Sequence, residues 1–156
     1  MSNNPKSPLS NNSEIQTAST LKRILLVEND DNNRELLSEL LSYHGYSILA
    51  LAGSSDFFEA VSGFRPNLIL LDLKLDENNG YTLLEEIRRN EEYQDIPIIV
   101  ISAYAFKAQI QRAYNLGVNG YIIKPINVSD LTQAIQDQLH RKGQSGADCG
   151  SEGNLL

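Results

Sequence analysis

The stretch Leu68-Ile69-Leu70-Leu71-Asp72 sets four apolar residues in unbroken succession and closes on a carboxylate. A strand with one wet face alternates apolar and polar residues. A strand buried on both faces, as in a parallel sheet, does not. Three further continuous runs lie on either side of it, at Ile24–Val27, Ile98–Ile101 and Tyr121–Ile123. A weaker strand is expected at Tyr46–Leu51.

Between the runs the apolar period changes from continuous to helical. Leu36, Leu37, Leu40 and Leu41 share one helix face, with Gly45 as a stop. Phe57, Phe58, Ala60 and Val61 predict a second helix, capped by Ser54, Ser55 or Asp56 and ended by Gly63 and Pro66. Leu83, Leu84 and Ile87 give a third. Ile110, Ala113, Tyr114 and Leu116, closed by Gly117, give a fourth. Leu131, Ala134, Ile135 and Leu139 give a fifth, with Asn127 or Ser129 as its cap. A βα unit repeated five times predicts an α/β fold with helices on both faces of a parallel sheet.

The boundaries follow from composition. Residues 1–20 are rich in Ser and Asn and cannot bury enough apolar surface to offset their ordering entropy, so a disordered leader is expected there. Residues 143–156 read as a flexible tail. One domain is expected over residues 21–142, large enough for a stable core. No apolar run approaches the roughly 18 residues of a membrane span, and no secretory signal is visible. A net charge of −7 argues against direct binding of nucleic acid. The single cysteine, Cys149, has no internal disulfide partner, which favours a cytoplasmic setting.

Ligand sites in doubly wound sheets form beyond the carboxyl ends of the strands. Glu28-Asn29-Asp30-Asp31 follows the first strand, Asp72 closes the third, Ser102 ends the fourth, and Lys124-Pro125 follows the fifth. Converging carboxylates repel unless a cation intervenes, and a hard divalent ion with oxygen ligands, Mg2+ foremost, relieves that repulsion. Carboxylate, divalent ion, lysine and hydroxyl around one point suit a transferring phosphoryl group. Asp30 and Asp31 read better as first-turn acids of a helix than as ligands. Glu85, Glu86, Arg88, Arg89, Glu91 and Glu92 read as a solvated helix face, and His44 and His140 as helix-terminal residues rather than catalysts.

From about Lys22 to Leu139 the chain resembles the receiver domain of two-component response regulators, in its single-domain, chemotaxis-regulator-like form. The resemblance is carried by Ile24-Leu-Leu-Val-Glu28-Asn29, Leu68-Ile-Leu-Leu-Asp72, Gly80, Ile98-Ile-Val-Ile-Ser102-Ala103 and Gly120-Tyr121-Ile-Ile-Lys124-Pro125. It implies a flavodoxin-like (βα)5 fold with strand order 2-1-3-4-5. It implies Asp72 as phosphoacceptor for a sensor histidine kinase or a histidine phosphotransfer protein, with Ser102 and Lys124 beside it. Mg2+ would be held by Glu28, Asn29, Asp72 and the backbone carbonyl of Lys74, and Tyr121 would be the aromatic switch. With 14 residues after Lys142, output is expected through a downstream protein partner, homodimerisation on phosphorylation being one form of it. No separate substrate turnover is expected.

The chain departs from the family pattern at three points. Asn29 stands where the family has a second acid, the loop after Asp72 lacks the usual proline, and Lys74 and Tyr104 are bulky where the family tunes water access to the acyl phosphate. The alternative is a pseudo-receiver, a protein-interaction module that Asn29 leaves unphosphorylated. Two enzyme classes fit poorly. A flavin carrier needs a less acidic loop after the first strand, and an aspartate-nucleophile phosphatase carries a second Asp where this chain has Lys74.

Overall fold

A computed structural model describes residues 20–75 and 80–143. Among these, strands and helices alternate as β1 (Arg23–Val27), α1 (Asp31–Tyr43), β2 (Ser47–Leu51), α2 (Phe57–Phe64), β3 (Leu68–Asp72), α3 (Gly80–Arg89), β4 (Ile98–Ser102), α4 (Lys107–Asn115), β5 (Gly120–Ile123) and α5 (Val128–Gly143). The strands form one parallel sheet in the order β2-β1-β3-β4-β5. The flavodoxin-like architecture expected from the sequence is the one observed. The expected leader (residues 1–19), Asp76–Asn79 and residues 144–156 of the expected tail, Cys149 among them, lie outside the described residues.

The continuous apolar runs of β1, β3 and β4 now have a physical explanation, whereas β5 is an edge strand, only half-buried and with Ile123 43% exposed, so its run is not one covered on both faces. Successive residues of a strand point to opposite faces. Leu25, Val27, Ile69, Leu71, Ile98 and Val100 pack under α2, α3 and α4, while Ile24, Leu26, Leu68, Leu70, Ile99 and Ile101 pack under α1 and α5. Both sets are buried, so neither parity tolerates a polar residue until the strand ends.

The helix termini follow local chemistry. Asp30 caps α1, its Oδ1 accepting the Asn33 N–H at 2.9 Å, and Gly45 takes φ +95° beyond the last turn. Asn127, rather than Ser129, caps α5 by accepting the Asp130 N–H at 3.0 Å.

Four expectations are corrected. Gly63 does not end α2. The helix runs on to Phe64, and Arg65 adopts the left-handed conformation, φ 55°, with the Arg23 Nε–H donating to the carbonyls of Phe64 and Arg65. Leu36 is 63% exposed, because α1 turns only Leu37 and Leu41 fully inward. Tyr114 likewise points outward, and Ala113 is the buried residue of α4. Arg88 is not part of a solvated face. Its guanidinium donates to the carbonyls of Gly117, Gln94 and Ile96 and to Asn119 Oδ1, tying the end of α3 to the turns before β4 and β5.

Candidate functional site

The parallel register brings the strand ends to one edge. Val27 pairs with Leu71, so Glu28, the next residue, falls beside Asp72. Ser102 pairs with Ile123, and the Lys124 N–H donates to the Ser102 carbonyl at 2.9 Å, which places Lys124 just past the edge. Glu28, Asp72 and Ser102 are the buried polar residues among those described.

One ammonium joins the two acids. Lys124 Nζ donates to Glu28 Oε1 at 3.1 Å and to Asp72 Oδ2 at 3.2 Å. The other oxygens are held by backbone: Glu28 Oε2 accepts from the Asp30 N–H at 3.1 Å, and Asp72 Oδ1 from the Lys74 N–H at 2.9 Å. Burial, followed by the charge of Asp72, pushes the Glu28 carboxyl above its ordinary range, against the opposing pull of Lys124. Burial alone would lower the Lys124 ammonium, but the hydrogen bonds and charges of Glu28 and Asp72 outweigh it and raise it. Two buried acids facing one lysine leave the pocket short of positive charge.

That shortage is what a hard divalent cation corrects, and the donors are of the right kind: carboxylate oxygens from Glu28 and Asp72, an amide oxygen from Asn29 and a backbone carbonyl from Lys74. Asn29 is half-buried beside Glu28. Asp30, the next residue, caps α1 through its Oδ1. Arg34, which the sequence reading did not single out, holds this loop. Its Nη1 donates to the Glu28 carbonyl at 3.0 Å and its Nη2 to Asp31 Oδ1 at 2.6 Å. The Asp31/Arg34 spacing of three on a helix was its signal.

Ser102 and Tyr121 meet at one residue, Tyr104. Ser102 Oγ accepts the Tyr104 N–H at 3.0 Å, and the Tyr121 hydroxyl donates to the Tyr104 carbonyl at 2.8 Å. The five residues Glu28, Asp72, Lys74, Lys124 and Ser102 are thus gathered at the carboxyl edge, with Asn29 at its rim and Tyr121 joined through Tyr104.

A five-stranded doubly wound domain with an acid pair and a lysine at its topological switch point defines a class of α/β signalling domain. The chain belongs to the response regulator receiver domain family, whose pattern matches residues 24–136. It is 29% identical over 118 residues to the polar-differentiation response regulator DivK of Brucella anthropi, covering 76% of this chain and 96% of that protein. Its fold is similar to a CheY-like receiver domain protein from Methanospirillum hungatei, with TM-score 0.74 and 28% identity over 81% of this chain and 99% of the other. A two-component response regulator from Clostridium difficile superposes with TM-score 0.72 at 26% identity, covering 78% of this chain and 98% of its own. No described helix is long and apolar enough to cross a membrane.

Proposed function

We propose that this chain is a stand-alone receiver, its domain spanning residues 21–142, that takes a phosphoryl group onto Asp72 from the phospho-histidine of a sensor kinase or histidine phosphotransfer protein. The observation that carries this reading is the single Lys124 ammonium within 3.2 Å of both buried carboxylates, Glu28 and Asp72. An Asp72 oxygen attacks phosphorus, the P–N bond breaks, and its electron pair returns to the imidazole, which takes up a proton. The product is an acyl phosphate on Asp72. Lys124 is placed to neutralise the phosphoryl oxygens as charge builds on them, and Ser102 offers a hydroxyl to one of them.

Glu28, Asn29, Asp72 and the Lys74 carbonyl would hold Mg2+, which supplies further neutralisation of the phosphoryl charge when bound. Output passes to a downstream protein, in the cytoplasm, through the segment joining Ser102 to Tyr121, with homodimerisation as one form of it. The domain turns over no separate substrate.

The test is the intact mass after incubation with Mg2+ and acetyl phosphate. A single acid-labile phosphoryl adduct is expected in the wild type and none in Asp72→Asn. Equal adducts in both would remove Asp72 from the reaction, and no adduct in either would make the chain an unphosphorylated interaction module.

A further inference from the structure

α4 is weakly anchored. Of its nine residues only Ala113 is buried, so apolar packing does little to fix it. Its first turn also buries the side-chain Oε1 of Gln109 without a hydrogen-bond partner among the described residues, a cost that the docked helix carries and an undocked one does not.

Tyr81 supplies what packing does not. Its side chain is buried, its hydroxyl donates to the Gln109 carbonyl at 3.0 Å, and the Arg112 guanidinium lies 3.9 Å over the ring centroid. Burial raises the phenol above its ordinary range, so it stays a donor at neutral pH.

At its other end Tyr81 is fixed to the loop that leaves Asp72. Gly80, its neighbour, donates its N–H to the Leu73 carbonyl at 2.9 Å. A Cβ at Gly80 would stand 2.5 Å from Leu73 Cα and 2.8 Å from the Asp72 carbonyl, so only glycine allows this approach. Residues 72–74 and 80–81 therefore form one closely packed unit, and the Tyr81 ring projects from it onto α4.

We propose that Tyr81 is a positioning residue that tethers α4 to the residues following Asp72. Displacement of the loop moves the tether, and release of α4 loosens the loop, because coupling between two sites is reciprocal.

Amide hydrogen exchange on the full chain, without phosphorylation, tests both directions. Tyr81→Phe keeps the ring and removes the hydroxyl. It should speed exchange of the Gln109 and Ile110 amides by about 2- to 12-fold, the effect of one net hydrogen bond, while amides of α1 and α5 hold their rates. Arg112→Gln should speed exchange of the distant Gly80 amide by about 2- to 5-fold. In a Tyr81→Leu background the same Arg112→Gln change should leave Gly80 unaltered. Unchanged α4 amides in Tyr81→Phe would overturn the tether. A Gly80 amide indifferent to Arg112→Gln, or equally sensitive in the Tyr81→Leu background, would overturn the link to the loop. Neither measurement needs phosphoryl transfer, so failure of an acetyl phosphate adduct to form would sink the reading of Asp72 and leave this result to stand on its own.

Discussion

Lys124 Nζ stands 3.2 Å from Asp72 Oδ2 while also holding Glu28 Oε1 at 3.1 Å, so one ammonium from the end of β5 compensates acids from the ends of β1 and β3. The lysine side chain keeps 21% of its surface in water, whereas both acids are almost fully covered. The charges that cost most to bury belong to the residues that do the proposed chemistry, and the lysine is the group that keeps them tolerable in the absence of metal.

Lys124→Met should therefore destabilise the fold by about 3 kcal/mol at pH 7, the low end for breaking a buried pair because Lys124 is partly solvated. Without the lysine, the upward push of burial and of the Asp72 charge on the Glu28 carboxyl is no longer opposed. The variant's stability should then fall as pH rises through the carboxylate range, and the deficit should shrink toward pH 4. Urea unfolding of both proteins at pH 4 and pH 7 checks this. A deficit independent of pH would mean that the lost contact is packing rather than charge.

Glu28→Gln acts in the opposite sense. The Glu28 carboxyl is raised by burial first and by Asp72 second, despite Lys124. An acid with a raised folded pKa costs stability as pH climbs from its unfolded value through its folded one. Removing that charge should add about 0.5–2 kcal/mol at pH 7, the range of a relieved functional site, and nothing below the unfolded carboxylate pKa. The same variant should lose Mg2+ affinity. Thermal melts with and without EDTA and Mg2+ would separate the two effects, and a variant less stable than wild type at pH 7 without metal would refute the repulsion.

Asn29→Asp probes the substitution that sets this chain apart from the family pattern. Asn29 is half-buried next to Glu28, and Asp30 is held at the cap of α1. A third charge facing a divalent ion should tighten Mg2+ binding about tenfold or more, since each 1.4 kcal/mol is a factor of ten. It should also lower stability in EDTA through repulsion. Tyr fluorescence during Mg2+ titration reads the affinity, the chain having no Trp. An unchanged dissociation constant would place residue 29 away from the ion.

The strands were legible because a strand buried on both faces leaves a continuous apolar run, and Leu68–Leu71 has no other economical reading. The residues at the strand ends were legible for the same reason: polarity resumes abruptly at Glu28, Asp72 and Ser102. Side chains that bond to distant backbone carbonyls were not. Arg88 lies in a run of charges that looks solvated, yet its guanidinium reaches Gly117, which is 29 positions away. Tyr81 stands outside the Leu83, Leu84 and Ile87 stripe that marks α3, and nothing near it in sequence announces Gln109 or Arg112. Such contacts depend on how two helices lie side by side, which local periodicity does not encode. Leu36 errs the other way. The helical stripe includes it, but α1 turns Leu37 and Leu41 onto the sheet and leaves Leu36 facing outward.

Ser102→Ala tests the output path. At rest, Ser102 Oγ accepts the Tyr104 N–H at 3.0 Å while the Tyr121 hydroxyl holds the Tyr104 carbonyl at 2.8 Å, so one residue is gripped from both strands. A phosphoryl oxygen on Asp72 would accept the serine O–H and draw the side chain toward the site, away from the Tyr104 N–H. The charge-assisted hydrogen bond it offers is worth roughly 1.5–3 kcal/mol, enough to shift a two-state equilibrium about 10- to 150-fold. Once Ser102 turns away, the Tyr104 N–H loses its acceptor and the β4–α4 segment is free to rearrange, with Tyr121 following. Alanine at 102 cannot make that exchange. The variant should still accept phosphate on Asp72 from acetyl phosphate, as read by intact mass. Its amide shift changes on phosphorylation should contract to the neighbourhood of Asp72, where wild type changes throughout residues 102–125. Any effect of phosphorylation on partner binding or dimerisation should weaken in parallel. Full-sized changes over residues 102–125 in phosphorylated Ser102→Ala would show that the hydroxyl does not drive the switch.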